Sequence, residues 1–312
     1  MVGLLTAYLA RTALPVRAVA ALVAASPLPL VVASADLGGW PGAGLAFLGV
    51  VVLVAFALAT WSEQVLRGVA VVAAAVALFV ATTLPVEGAT VTLAVLGEAV
   101  VLVVAAGLLR SRLLLGIGGA FGLLATLVAV ARDAPIEALV VYPASPYGDP
   151  ANGLLVPGAG VAALVLALAI VALVACGRVG LVRPDAATAP LWVPIGLAGL
   201  YGATSLVVTI ALLVSDDRTG FTAGHAVVTV SWTVAALVLL ARGISRAALR
   251  VAGLVLVGAA VAKLLLFDLV ALDGIARVAA FLGAGLVLLA AGTRYARLVA
   301  EASEQEKETS AS

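Results

Sequence analysis

Two ionisable residues lie inside long apolar runs, where charged side chains are rare. Glu98 is near the centre of the run 89–109, and Lys263 is near the centre of the run 251–270. Ionisable groups in the hydrocarbon of a bilayer are costly, usually face the interior of a helix bundle, and often mark a path for a substrate or a proton. We therefore hypothesise that Glu98 and Lys263 line a central cavity and bind substrate or relay protons. The alternative is a structural ion pair that joins two helices in a dry core.

A second charged group follows Lys263 in the sequence. Asp268, Asp273 and Arg277 surround a short turn at 272–274. Asp268 and Arg277 lie on opposite sides of this turn, so they are predicted to hold the two flanking helices together. Such contacts are usually architectural, and a ligand-binding role for Asp268 and Arg277 is the alternative.

A third group combines the only histidine, His225, with Asp216 and Asp217. One histidine with two carboxylates could hold a cation at the outer face, but loop acids beside a helix-start histidine are more often solvated, so no metal site is predicted. The only cysteine, Cys176, excludes an intramolecular disulfide and any metal site built from several cysteines. No serine or cysteine has the spacing of a hydrolytic triad, although a triad assembled from distant segments stays open. No cofactor is predicted.

The elements that position these residues are membrane-spanning helices. Of the 312 residues, 64% are hydrophobic and 11% are charged, against about 45–50% and about 25% in soluble domains. A spanning helix needs about 20 apolar residues, which allows about ten spans. A membrane β-barrel would show short segments of alternating polarity, which are absent. The sequence predicts an all-α polytopic bundle with spans at 18–35, 43–60, 68–86, 89–109, 113–131, 154–176, 190–214, 225–241, 251–270 and 275–293.

Basic residues predict the orientation of this bundle. With ten spans and both termini in the cytoplasm, thirteen basic residues fall on the inner side. The outer loops and their edges hold three basic residues and eight acidic ones. This asymmetry fits the positive-inside rule. The thirteen are Arg11, Arg17, Arg67, Arg110, Arg112, Arg178, Arg183, Arg242, Arg246, Arg250, Arg294, Arg297 and Lys307. The net charge of +1, without a basic stripe, gives no indication of nucleic-acid binding.

The chain is predicted to form one bundle over residues 1–300, followed by a disordered cytoplasmic tail at 301–312. The outer loop 132–153 divides it into halves 1–131 and 154–300, each with five spans. An odd number of spans gives the halves opposite orientations, as in an inverted repeat. Residues 1–35 are predicted to be a retained first helix. They also have the features of a cleaved signal peptide, which would leave nine spans.

Several short motifs stand out in the C-terminal part of the chain. They are Val230-Ser231-Trp232, Arg242-Gly243-Ile244, Leu249-Arg250, the segment from Lys263 to Leu269, and the segment from Arg277 to Gly283. With these motifs, this part resembles the C-terminal region of the predicted bacterial membrane proteins of domain-of-unknown-function family 2339, mainly over 222–297, and a weaker similarity covers 93–131. The resemblance implies a membrane protein of the bacterial envelope and makes Lys263, Asp268 and Arg277 the residues that match the family's motif. We predict a multi-pass protein of the bacterial inner membrane.

Two functions follow from these observations. The first is a permease or lipid transporter built around Glu98 and Lys263, with the bilayer as its surroundings and a small molecule or lipid as its substrate. The second is a non-transporting scaffold or assembly factor of the cell envelope, favoured by the scarcity of polar residues inside the spans. A membrane-embedded enzyme ranks third, because no nucleophile or metal site is recognisable.

Overall fold

The computed structural model describes residues 4, 6–8, 15–140, 142, 155–181, 189–243 and 247–264, with isolated positions between 275 and 297. Most of these residues are helical, and none of them forms a β-strand, which confirms the all-α fold. The α-helices, in chain order, are α1 Val16–Ala25, α2 Leu28–Leu37, α3 Gly39–Ala59, α4 Gln64–Thr83, α5 Ala89–Leu109, α6 Arg112–Val128, α7 Leu155–Arg178, α8 Ala189–Val214, α9 Arg218–Arg242 and α10 Ala247–Lys263. A π-helical turn at Ala129–Asp133 and a 3₁₀ turn at Ile136–Leu139 follow α6.

Eight segments of the described chain are long and apolar enough to cross a bilayer. They correspond to the first eight predicted spans, with α1 and α2 counted as one segment across the turn at Ser26–Pro27. The ninth predicted span corresponds to α10, whose described part has 17 residues. The tenth span and the tail lie mainly outside the described residues. The chain is therefore a multi-pass helical membrane protein, and the count of ten spans stays a prediction.

Both the exposed faces and the packed faces of these helices are apolar. On α5, Val95, Ala99 and Val103 are buried, while Val101 and Leu108 each expose 67% of their surface. A helix in water would place polar residues on its exposed face. Apolar residues on both faces are expected when one face packs against protein and the other contacts lipid.

The chain divides into two compact units. The first contains Met1–Asp133, Leu164–Arg183 and Ala187–Gly199, and the second contains Ala134–Ala163, Pro184–Ala186 and Leu200–Ser312. The first break, after Asp133, lies close to the predicted division after residue 131. Most of α7 and the start of α8 belong to the first unit, so the boundaries of the units differ from those of the predicted halves. The two halves, the single bundle over 1–300 and the inverted repeat stay predictions.

Small residues bring the helices of the first unit together. A Cβ atom on Gly118 of α6 would lie 2.8 Å from Val103 Cγ2 and 3.0 Å from Leu102 Cβ, both on α5. Close approach at small residues is the usual way in which membrane helices gain packing contacts. The glycine-rich segment of α6 therefore serves helix packing at Gly118 and, against Leu168 of α7, at Gly122.

In the second unit, α9 and α10 form an antiparallel hairpin. Gly253 of α10 faces Leu240 of α9. Lys263 lies ten residues, or about 15 Å, further along α10 and contacts Thr229 of α9. On its other side α9 packs against α8, where a Cβ atom on Gly224 would lie 2.9 Å from the Cα of Val208. This arrangement places Lys263 at the level of the middle of α9.

We predict that Gly118→Leu destabilises the first unit by about 1–3 kcal/mol, because the added side chain overpacks the contact with α5. Gly119→Leu is the matched control, since a Cβ atom on Gly119 meets no heavy atom within 4 Å. Thermal unfolding of both purified variants in detergent measures the difference. Equal stability of the two variants would contradict the packing role of Gly118.

Candidate functional site

Glu98 lies in the middle of α5 and is only 8% exposed. The bounds of α5, Ala89–Leu109, are those predicted from the sequence. One carboxylate oxygen, Oε1, is 2.6 Å from the hydroxyl oxygen of Thr82 on α4. The other, Oε2, is buried and has no hydrogen-bond partner in the described part of the chain. This carboxyl group therefore keeps one free polar atom inside a span.

The Thr82 hydroxyl has more than one possible acceptor. Besides Glu98 Oε1, the carbonyl oxygens of Leu78 and Phe79 lie 3.1 Å and 3.2 Å from it. A hydroxyl group carries one proton, so it can donate to only one of these three oxygens at full strength. The direction of the Thr82–Glu98 hydrogen bond therefore depends on whether the carboxyl group is protonated.

Thr82 is the second-last residue of α4, although Glu98 is in the middle of α5. Glu98 is nine residues beyond the start of α5, which corresponds to about 14 Å along the helix axis. The contact therefore places Glu98 level with the C-terminal end of α4. The sequence located Glu98 along its own helix, but it could not give its depth relative to the neighbouring helix.

Lys263 is 8% exposed and belongs to the second unit. Its ammonium group donates to the hydroxyl of Thr229 at 2.8 Å and to the backbone carbonyl of His225 at 3.3 Å. The structure therefore brings together two residues that the sequence analysis had assigned to different sites, Lys263 and His225. The predicted pairing of Lys263 with Glu98 stays a prediction.

His225 is fully buried, and the backbone of Leu139 in the 3₁₀ turn lies within reach of its ring, although neither ring nitrogen has close hydrogen-bond geometry with a described residue. Its ring packs against Phe221 with a centroid distance of 4.6 Å, and Phe221 in turn contacts Tyr142 at 5.7 Å. The predicted start of this span at residue 225 is corrected by the structure, because α9 begins at Arg218. His225 thus lies about two turns inside the helix.

A stripe of polar side chains, missed in the sequence analysis, runs along α9. His225, Thr229 and Thr233 are buried and follow one another at intervals of four residues, so they share one face of the helix. Thr204, Ser205 and Thr209 of α8 are also buried in this unit. The four-residue spacing in the sequence could have indicated this stripe. Single threonines do not break an apolar run, however, so the hydropathy pattern does not reveal them.

Asp216 and Asp217 do not join His225. Both are exposed, and Asp217 is the N-cap of α9, where its side chain accepts a hydrogen bond from the Gly220 amide at 2.8 Å. This bond and the Ser215 hydroxyl lower the pKa of Asp217. A carboxylate with a lowered pKa stabilises the folded state above its unfolded pKa, and the contribution is lost as the pH falls through the folded pKa. Asp217 therefore caps and stabilises the N-terminal end of α9.

Asp133 is a buried carboxylate that the sequence analysis had assigned to an outer loop. It ends the π-helical turn, is 4% exposed, and accepts a hydrogen bond from the hydroxyl of Thr92 on α5. Arg132 lies 3.4 Å from its other oxygen but is itself 61% exposed. Unlike Glu98, Asp133 therefore has a partner for each oxygen.

The remaining predicted residues give no site in the described part of the chain. Asp268 and Arg277 lie outside the described residues, so the predicted contact across their turn stays a prediction. Cys176 is a buried free thiol in α7. Where the structure describes the chain, no three histidine, cysteine or acidic side chains cluster in a way that would hold a metal ion.

Comparison with known proteins identifies a family. The family model described as Predicted membrane protein (DUF2339) matches residues 114–298, which is more than half of the chain. The matched region begins in α6 and includes His225 and Lys263, whereas Glu98 lies before it. No curated protein and no solved structure matches the chain.

Thr229→Val should destabilise the second unit by about 1–3 kcal/mol more than Thr233→Val. Each substitution removes a hydroxyl that donates to a carbonyl of α9, but only Thr229 also accepts from Lys263. Denaturant unfolding in detergent measures the two losses. Equal losses would contradict a contribution from the Lys263 contact.

A double-mutant cycle tests the predicted pairing of Glu98 with Lys263. Each side chain has hydrogen-bond partners within its own unit, so we expect Glu98→Gln and Lys263→Met to give additive losses of stability, within about 0.5 kcal/mol. If the double variant loses much less than the sum, the two charges interact directly, because removing both leaves no lone buried charge.

Proposed function

The chain belongs to the family Predicted membrane protein (DUF2339), and from this premise we propose that it is a permease, which moves a small molecule or a lipid across the bacterial inner membrane. In this proposal Glu98 and the group around Lys263 are polar sites for the substrate or a coupling ion. The thirteen basic residues on one side of the predicted spans support an orientation with both termini in the cytoplasm.

One observation carries the proposal: buried polar atoms inside the spans have no partners in the described part of the chain. They include Glu98 Oε2 in the first unit and Ser205 Oγ of α8 in the second. Buried polar groups in proteins are nearly always hydrogen-bonded, and an unmade hydrogen bond costs about 1–3 kcal/mol. A protein that only packs its helices gains nothing from this cost. A permease gains polar groups that a solute or water can satisfy.

The contacts of Lys263 favour a second candidate, a non-transporting envelope scaffold. Its ammonium group is hydrogen-bonded to Thr229 and to the His225 carbonyl, so it fastens α10 to the middle of α9. A cation held in this way can be purely structural. The scaffold leaves the unpartnered Glu98 Oε2 unexplained, and for that reason we place it second.

Access of water to the two polar groups distinguishes the candidates. On a Cys176→Ser background, Thr82→Cys and Thr229→Cys would be treated in membranes, from each side, with a membrane-impermeant thiol reagent. We expect both cysteines to react, because a permease needs an aqueous path to its site and thiol reagents require water.

Matched controls come from the lipid-facing residues of the same regions. Val101→Cys lies three residues from Glu98, and Val227→Cys two residues from Thr229, yet 67% and 53% of these two side chains are exposed on apolar faces. We expect both to stay unreacted, while Asp216→Cys in the exposed turn reacts. If Thr82→Cys and Thr229→Cys do not react with the reagent while Asp216→Cys does, the result would favour the scaffold.

A further inference from the structure

We propose that Glu98 and Thr82 form a proton-binding site, in which the Glu98 carboxyl group holds a proton and exchanges it with water at the C-terminal end of α4. The role of this proton as the coupling ion of a permease rests on the proposed function. The binding of the proton to Glu98 does not depend on that function and can be tested without a substrate.

The surroundings of Glu98 favour a neutral carboxyl group. It is nine-tenths buried, and no lysine, arginine or histidine of the first unit's described residues forms an ion pair with it. A carboxylate without a countercharge is strongly disfavoured at such a position, and the usual response is to bind a proton. Asp133 shows the contrast, because it is buried with Arg132 beside it.

Other titratable groups of the packed elements lie towards helix ends, away from Glu98. Asp133 of the π-helical turn contacts Thr92, which lies six residues, or about 9 Å along the axis of α5, from Glu98. On α4, α6 and α7 these groups are Arg67, Arg112, Cys176 and Arg178, and Arg132 belongs to the π-helical turn. Among the described residues of the first unit, Glu98 is therefore the group at this level of α5 that can bind or release a proton.

Thr82 accommodates both forms of the carboxyl group. When Glu98 is protonated, its O–H donates to the Thr82 oxygen and Thr82 donates to the carbonyl of Leu78 or Phe79. When Glu98 gives its proton to a water molecule, a hydronium ion and a carboxylate result. The Thr82 hydroxyl then rotates and donates to Glu98 Oε1. Each state places every proton in a hydrogen bond.

The position of Thr82 gives the proton a short route. Thr82 is half-buried at the end of α4, and the loop that follows it carries Glu87, which is exposed. The sequence predicts this loop on the outer side of the membrane. Protons would therefore exchange between Glu98 and the outer face, past Thr82.

The same oxygens suit a metal cation less well. Hard cations such as Ca²⁺ take six to eight oxygen ligands, and this site offers one carboxyl group and one hydroxyl group. The nearby carbonyls of Leu78 and Phe79 belong to the helical part of α4. A small cation such as Na⁺ is the competing occupant, and the experiment includes it.

Infrared spectroscopy of the purified protein in lipid vesicles tests the site directly. We expect a carbonyl-stretch band of a protonated carboxylic acid, equal to one group per chain, that shifts in heavy water and is absent from Glu98→Gln. The band should decline as the pH is raised. Thr82→Val should shift its frequency, because a hydrogen bond is lost, and Thr82→Ser should retain it.

Two acids serve as controls. Glu87→Gln removes an exposed carboxyl group and Asp133→Asn removes the other buried one, so both should leave the band unchanged. If the substitution Glu98→Gln removes no carboxylic-acid band from the spectrum at any pH, the Glu98 carboxyl group is ionised and the proposal is wrong. If NaCl abolishes the band at constant pH, Na⁺ displaces the proton and the site is a sodium site.

This result is independent of the cysteine labelling. A Glu98 band in a protein whose Thr82→Cys and Thr229→Cys variants stay unreacted would support proton binding and contradict the permease. Labelling of both cysteines without a Glu98 band would support the permease and contradict the proton site.

Discussion

The hydrocarbon of the bilayer is the constraint on which the rest of this structure depends. With no water available, each backbone N–H and C=O group must find a partner within its own segment, so the spans are helices. The same condition removes most polar side chains, leaving 64% of the residues hydrophobic. Packing then depends on glycine and alanine, as at Gly118 and Gly224, where backbones approach closely. Every polar side chain kept inside a span under this condition needs a physical reason.

The buried polar residues differ in how completely they are satisfied. Lys263 donates to Thr229 and to the His225 carbonyl, contacts that also set the register of α9 against α10. Asp133 has Thr92 and Arg132. Hydrogen-bonded groups of this kind are compatible with a purely structural role. Glu98 retains an unpartnered carboxyl oxygen in the described chain, so packing alone does not account for this residue.

Helix positions followed from the sequence wherever hydropathy alone determined them. The bounds of α5 were predicted correctly because most of its residues are apolar. The start of α9 was predicted seven residues late, since the small and polar residues from Arg218 to Gly224 weaken the apolar signal. Asp217, placed before this segment, was an N-cap signal that would have corrected it. The shift moved His225 from the surface to the interior and changed its neighbours.

The partners of Glu98 and Lys263 could not be predicted in the same way. Span position gives depth along one helix, whereas the contacts with Thr82 and Thr229 depend on the register between two helices, which hydropathy does not give. Charge complementarity suggested pairing Glu98 with Lys263, but threonine hydroxyls offer each of them a neutral partner without a second buried charge. The family match includes Lys263 and His225 but begins after Glu98. An activity that requires Glu98 therefore depends on a part of the chain that this match does not cover, and family membership by itself does not imply that activity.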